Sequence, residues 1–247
     1  MNREHTCRPI LVTGLPRSGT SLTAGILHLC GAWGGELVGP SKHNPKGMFE
    51  NNEIRNRTIK PYFRRMGADP LGQRGFPDIY RLAAYPDLRG DVLEIVRRQG
   101  YVSGPWFYKE PKMLLVWPEW AEAFPSARWV VVRRDPEDVV SSCMRTAFMR
   151  AYQTRDGWRE WVGRQLEIIR DLSAGKRFSG LNFREVWPEK VIGGDLTEIR
   201  SVVEWAELAW NEPAVRDFMD KELWHGKAGG GSGEAADDRL ESTLELG

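Results

Sequence analysis

The hydrophobic pattern divides the chain into short, continuous apolar runs and longer stretches where apolar residues recur every three or four positions. Ile10-Leu11-Val12-Thr13, Trp106-Phe107-Tyr108 and Trp129-Val130-Val131-Val132-Arg133 are of the first kind. Runs of this length suit strands buried on both faces of a parallel sheet. Val191-Ile192-Gly193-Gly194 is a shorter fourth candidate. Helical spacing recurs at Leu22, Ile26, Leu27 and Leu29, at Ile54, Ile59, Tyr62 and Phe63, at Leu88, Val92, Ile95 and Val96, and at Trp158, Trp161, Val162, Leu166 and Ile169. Those spacings predict helices that each bury one face.

Punctuation sharpens these elements. Gly100 is a stop for the third helix, and Pro118 opens a helix through Trp120, Ala121 and Phe124. Asp135 as N-cap, Pro136 at the first helical position and Glu137-Asp138 in the first turn make a clear start for a helix through Val139, Val140 and Cys143. Asp195 and Glu198 stand at capping-box spacing ahead of Ile199, Val202, Val203 and Ala206, and a last short helix is expected from Pro213 to Leu223 after Asn211. Gly31–Pro40 and Asn44–Asn51 read as a loop lying over a site, and Pro70–Pro86 as irregular. Strands alternating with helices imply an α/β fold with a central parallel sheet covered by helices on both faces, its site at the C-terminal ends of the strands.

Length and composition narrow the class. The 247 residues suit one α/β domain, expected over 1–227; the glycine run Gly229–Gly233 and the acidic stretch to Gly247 read as a flexible linker and tail over 228–247. Lys+Arg 35 against Asp+Glu 34 leaves a net charge of +1, which argues against a general nucleic-acid-binding surface. The polar N-terminus and the short apolar run after it offer neither a signal sequence nor a membrane span, so a soluble cytoplasmic protein is expected, not associated with membranes. Cys7, Cys30 and Cys143 lack metal-ligand spacing, and buried reduced thiols are expected with no metal.

The chemistry is concentrated where the first strand meets the first helix. Gly14-Leu15-Pro16-Arg17-Ser18-Gly19-Thr20-Ser21 places two glycines at phosphate-loop spacing, so that backbone N–H groups and the positive end of the helix face a phosphate. A triphosphate loop carries Lys before its final Ser or Thr, but that position is Thr20 and the basic residue is Arg17. Such a loop suits a nucleotide with a single 5′-phosphate group better than ATP. A tight strand-to-helix connection is the plainer alternative.

Pro16-Arg17-Ser18-Gly19-Thr20-Ser21 resembles the 5′-phosphosulfate loop of sulfotransferases that use 3′-phosphoadenosine 5′-phosphosulfate (PAPS). Arg134-Asp135-Pro136-Glu137-Asp138-Val139-Val140-Ser141-Ser142 is similar to the same family's second phosphate segment, in which an Arg at a strand end and a Ser eight residues later hold the 3′-phosphate. The resemblance covers Pro9 to Leu223, with its specific motifs confined to these two segments. It implies that Arg17, Ser18, Gly19, Thr20 and Ser21 hold the 5′ end of PAPS, and that Arg134 and Ser142 hold the 3′-phosphate. Guanidinium and hydroxyl donors suit that role. The alternative is Arg134 paired with Asp138 or another carboxylate, with Ser142 incidental.

The resemblance further implies in-line transfer of a sulfuryl group to a hydroxyl or amine of a small-molecule or glycan acceptor, leaving the bisphosphate product PAP, with no metal required. Lys109, with Lys112 as second choice, resembles the family's leaving-group lysine; the alternative is a surface lysine paired to Glu110. Where one branch places a catalytic His two residues later, this chain has Pro111. The base is therefore sought in Glu50, flanked by Glu36, His43 and Glu53, with desolvation by Met48 and Phe49 expected to raise its pKa. Glu50 as a simple helix cap is the alternative. The basic face Arg55, Arg57, Lys60, Arg64 and Arg65 reads as solvated, and the tryptophans as core. A P-loop kinase of a small molecule and a catalytically inactive nucleotide-binding protein stay open as rival functions.

Overall fold

The computed structural model describes residues 8–40, 44–74, 78, 81, 84–175, 178 and 180–219. The chain begins with strand β1 (Ile10–Gly14) and helix α1 (Thr20–Leu29). Helix α2 starts at Asn52–Ile54, widens into a π turn over Arg55–Ile59 and returns to α geometry over Lys60–Arg65. Then follow α3 (Leu88–Arg98), β2 (Phe107–Lys109), a 3₁₀ stretch (Pro111–Val116), α4 (Trp117–Ala123), β3 (Arg128–Val132), α5 (Pro136–Arg145) and α6 (Arg155–Ser173). The described chain closes with β4 (Asn182–Val186), α7 (Pro188–Ile192), α8 (Thr197–Trp205) and α9 (Glu212–Phe218). The linker and tail expected at 228–247, and His43 and Cys7, lie outside the described residues.

The four strands form one parallel sheet in the order β2-β1-β3-β4. Strand alternation sorts the side chains onto two faces. Leu11, Trp106, Tyr108, Trp129 and Val131 join a core with α2 to α6, while Ile10, Val12, Phe107, Val130 and Val132 join a second core with α1, α7, α8 and α9. Both faces are covered, so β1 and β3 are buried along their whole length and mostly apolar, with Thr13 and Arg128 as the polar exceptions. Trp158 and Trp161 belong to the first core, which accounts for them without a ligand.

The strand order also explains why distant segments meet. From β1 the chain crosses to β2 on one side and later returns through β3 on the other, so the loops leaving β1 and β3 stand side by side at the C-terminal edge. Gly14 pairs in register with Val132, and a Cβ at Gly14 would overlap the Val132 carbonyl oxygen. Glycine is what allows the first loop to leave the sheet so close to the second.

Several local expectations are corrected. Val191 and Ile192 lie in α7, opened by Pro188, and not in a strand; the fourth strand is Asn182–Val186, whose alternating, half-exposed pattern marks an edge. The capping box at α8 does not form. Asp195 Oδ1 accepts from the Thr197 N–H at 3.0 Å, but Glu198 is taken up by the Trp187 N–H and Lys190 Nζ, each at 2.6 Å. Asp135 does cap α5, accepting from the Glu137 and Asp138 N–H groups at 2.9 and 3.2 Å, a contact worth about 1 kcal/mol. Among the described residues, no helix is long and apolar enough to cross a membrane.

Candidate active site

The loop after β1 turns through two left-handed residues, Arg17 at φ +70° and Gly19 at φ +96°. Gly19 takes that conformation freely, whereas Arg17 holds it at a cost of about 1 kcal/mol or more, a kind of strain found at functional sites. The first turn of α1 carries no acidic residue and no side-chain cap, and its first backbone bond runs from the Thr23 N–H to the Gly19 carbonyl at 3.1 Å. Its leading N–H groups therefore face the loop, where the helix dipole favours an anion. Ser18 is fully buried, and its Oγ has no hydrogen-bond partner. Thr20 is also buried, and Ser21 Oγ donates to the Met48 carbonyl at 3.3 Å.

The second segment closes over the first. Arg134, at the end of β3, donates through Nη1 to the Arg17 carbonyl at 2.9 Å, and Arg17 donates through Nε to Ser142 Oγ on α5 at 3.2 Å. Burial lowers the Arg17 pKa against the opposing pull of Cys143, and Arg134 and Arg145 lower it further. Burial also lowers Arg134, while Asp138 and Glu189 act the other way. Cys143, pushed up to about 12 by burial in spite of Arg17 and Arg134, is a neutral thiol and offers these guanidiniums no counter-charge.

Glu50 reaches the same edge from the loop before α2. The Val38 N–H donates to the Glu50 carbonyl at 2.8 Å, and the Asn52 N–H to the Glu36 carbonyl at 3.0 Å, which fixes residues 36–38 against 50–52 as a short antiparallel clasp. Asn51 caps α2 through the Ile54 N–H at 3.1 Å, so the capping role belongs to Asn51 and not to Glu50. Glu50 instead accepts from Lys109 Nζ through Oε1 at 2.8 Å and from Arg55 Nη1 through Oε2 at 3.0 Å. Burial alone would raise its pKa, as the sequence reading expects. Lys109, Lys112 and Arg55 outweigh burial and hold the carboxyl down to about 2. That expectation is therefore reversed, because three cations meet at a carboxylate whose apolar neighbours alone were visible in the sequence.

Lys109 is not a surface lysine paired to Glu110; it is 2 % exposed and bonded to Glu50. Glu110 pairs with Lys112, at 3.4 Å, and accepts the Lys112 N–H at 3.1 Å. Burial raises the Glu110 pKa, with Lys112 opposing and Glu50 adding to the rise. Glu53 lies apart from Glu50's partners, engaged by Arg57, Arg98 and Gln99.

The glycine loop after β1 thus stands beside the Arg134 segment, with Lys109 of β2 bonded to Glu50 from the loop before α2. The model of the sulfotransferase family matches residues 9–212, a span that includes every one of these groups. The chain belongs to the sulfotransferase family. Among solved structures, this sulfotransferase is similar to the sulfotransferase domain of the Synechococcus PCC 7002 olefin synthase, with 17% identity, 86% of this chain and 78% of that one covered, and a TM-score of 0.50. Sulfotransferase STF9 from Mycobacterium avium also matches, with 17% identity over 85% of this chain and 67% of that one, at a TM-score of 0.47. A search of curated proteins finds no match. At such identity the Synechococcus domain speaks for the fold, and it agrees with the parallel sheet and flanking helices described above.

The structure thus brings Arg17, Arg134 and Ser142 of this sulfotransferase together in one cluster, and Glu50 and Lys109 in another. Two residues escaped the sequence reading. Arg55, expected on a solvated face, holds Glu50; because Glu50 lies before the Asn51 cap and outside the helix, no helical spacing signals the pair. Arg145 acts electrostatically on both Arg17 and Arg134 from the end of α5, with no local signal in the sequence.

Proposed function

We propose that this sulfotransferase uses PAPS as donor and moves the sulfuryl group to a hydroxyl or amine of a small-molecule or glycan acceptor by in-line displacement. The Arg17–Ser142 bond carries the reading, because it makes the two phosphate segments one continuous site, as a nucleotide with phosphates at both its 5′ and 3′ positions requires. The residues fit such a ligand. The buried, unpartnered Ser18 Oγ and the uncapped first turn of α1 are donors in need of an acceptor. In this reading Arg17, Ser18, Gly19, Thr20 and Ser21 hold the 5′ end, and Arg134 and Ser142 the 3′-phosphate.

PAPS, when bound, supplies a sulfuryl group on a phosphate leaving group. Lys109 spends one of its three N–H donors on Glu50 and keeps two for charge developing on the leaving oxygen. Glu50, ionised at neutral pH, accepts the acceptor's proton at Oε1 or Oε2. A carboxylate held this low is a weak base, so the transfer is favoured only as the attacking oxygen or nitrogen turns acidic in the transition state.

A small-molecule kinase is disfavoured by Thr20 in place of the triphosphate lysine. Thermal unfolding separates the readings. PAP should raise the melting temperature by mass action, and ATP with magnesium should raise it far less. Equal or greater stabilisation by ATP would overturn the donor assignment, and PAP binding without turnover across a broad acceptor panel would favour an inactive nucleotide binder.

A further inference from the structure

Helix α2 carries a line of cations that the donor-side reading does not use. The π turn joins Arg55 and Lys60 directly, through the Lys60 N–H to the Arg55 carbonyl, and so sets two residues five apart one above the other. Arg64 follows Lys60 by four residues in regular α geometry, on the same face. The line starts at the reacting centre, since Arg55 Nη1 is 3.0 Å from Glu50 Oε2. Its inner member is neutralised by Glu50, but among the described residues neither Lys60 nor Arg64 has an ion-pair partner. Lys60 is half-buried, which makes an uncompensated charge there costly. Burial lowers its pKa, and Arg55, Lys112 and Arg64 lower it further, against Glu110. By contrast, neighbouring Arg65 lies over the Tyr62 and Tyr85 rings and donates to the Ala84 carbonyl, as a structural arginine does.

We infer that Lys60 and Arg64 form an anion subsite for the acceptor, which therefore carries a carboxylate, phosphate or sulfate group beside the hydroxyl or amine it presents to Glu50. This rests on the proposed sulfuryl transfer, and it adds the acceptor's charge class. Lys60 and Arg64, one turn apart, form a cationic track from the base towards solvent, and Lys112, itself paired to Glu110, acts on Lys60 only electrostatically. The π turn has a purpose in this arrangement, because an unbroken α-helix would rotate Lys60 away from Arg55.

The test uses the full chain saturated with PAP, so that anions cannot fill the nucleotide site, and sulfate ion as the probe. Melting temperatures are compared in sodium sulfate and sodium chloride at matched ionic strength, for wild type and for Lys60→Gln/Arg64→Gln. General salting-out raises both proteins alike. The expected result is an additional sulfate-dependent rise of about 2–4 °C in wild type that the double variant loses. Equal sulfate shifts in the two proteins would overturn the subsite. The PAP shift is read in the same scans: its absence would sink the donor reading, and the sulfate comparison between wild type and variant would still decide the anion subsite.

Discussion

Around the glycine loop after β1 the site presents donors that lack acceptors, whereas around Glu50 the charges have already met. Ser18 Oγ is buried and unpartnered, and α1 starts uncapped; Glu50, by contrast, has Lys109 on one oxygen and Arg55 on the other. In the proposed reaction the first region receives the anion, and the second, already paired, supplies the base. Binding should therefore follow the first region and turnover the second.

The largest expected effect breaks the second region alone. Glu50→Gln keeps an oxygen for Lys109 but removes the basicity, and should lower turnover by roughly 10²–10⁴ while leaving PAP affinity nearly unchanged. Steady-state kinetics and calorimetric titration on the same preparation check the split. Glu36→Gln and Glu53→Gln serve as controls. Full turnover in Glu50→Gln with collapse in Glu110→Gln would move the base to Glu110, the buried carboxyl whose pKa burial raises.

A smaller effect sharpens the same comparison through pH. Arg55 acts less strongly than Lys109 and Lys112 among the cations that hold Glu50 down, so Arg55→Gln should let that carboxyl rise. A carboxylate depressed in the folded state adds stability above its unfolded pKa of about 4.3, and that stability is lost as pH falls through the folded value. The unfolded value is common to both proteins and cancels in their difference, so the stability gap between wild type and Arg55→Gln should be full at neutral pH and close only as pH falls through the two folded values, towards 2. Thermal unfolding across that range checks it; a gap independent of pH would make the Arg55 contribution one of packing.

What was legible in the sequence follows the same division. β1, β3, the strand-to-helix glycine loop and the Asp135 cap are encoded in contiguous residues, and each lies where the pattern places it. β4 was missed because Asn182–Val186 alternates as a half-exposed edge strand, with none of the continuous apolar signal of β1 or β3. The charge state of Glu50 was misread because Lys109 lies 59 residues away, and only the pairing of β2 with β1 brings it in. The reach of Arg17 across to Ser142, 125 residues on, had no local signature either.

Whether one continuous site reads both phosphates is tested most directly at Arg134, by titrating wild type and Arg134→Ala with PAP and with adenosine 5′-monophosphate, which lacks the 3′-phosphate. Loss of a charge-assisted contact should cost about 1.5–3 kcal/mol of PAP binding. Binding of the monophosphate should change much less, so that the variant no longer distinguishes the two nucleotides. An equal loss for both would mean that Arg134 supports the loop through the Arg17 carbonyl and does not read the 3′-phosphate.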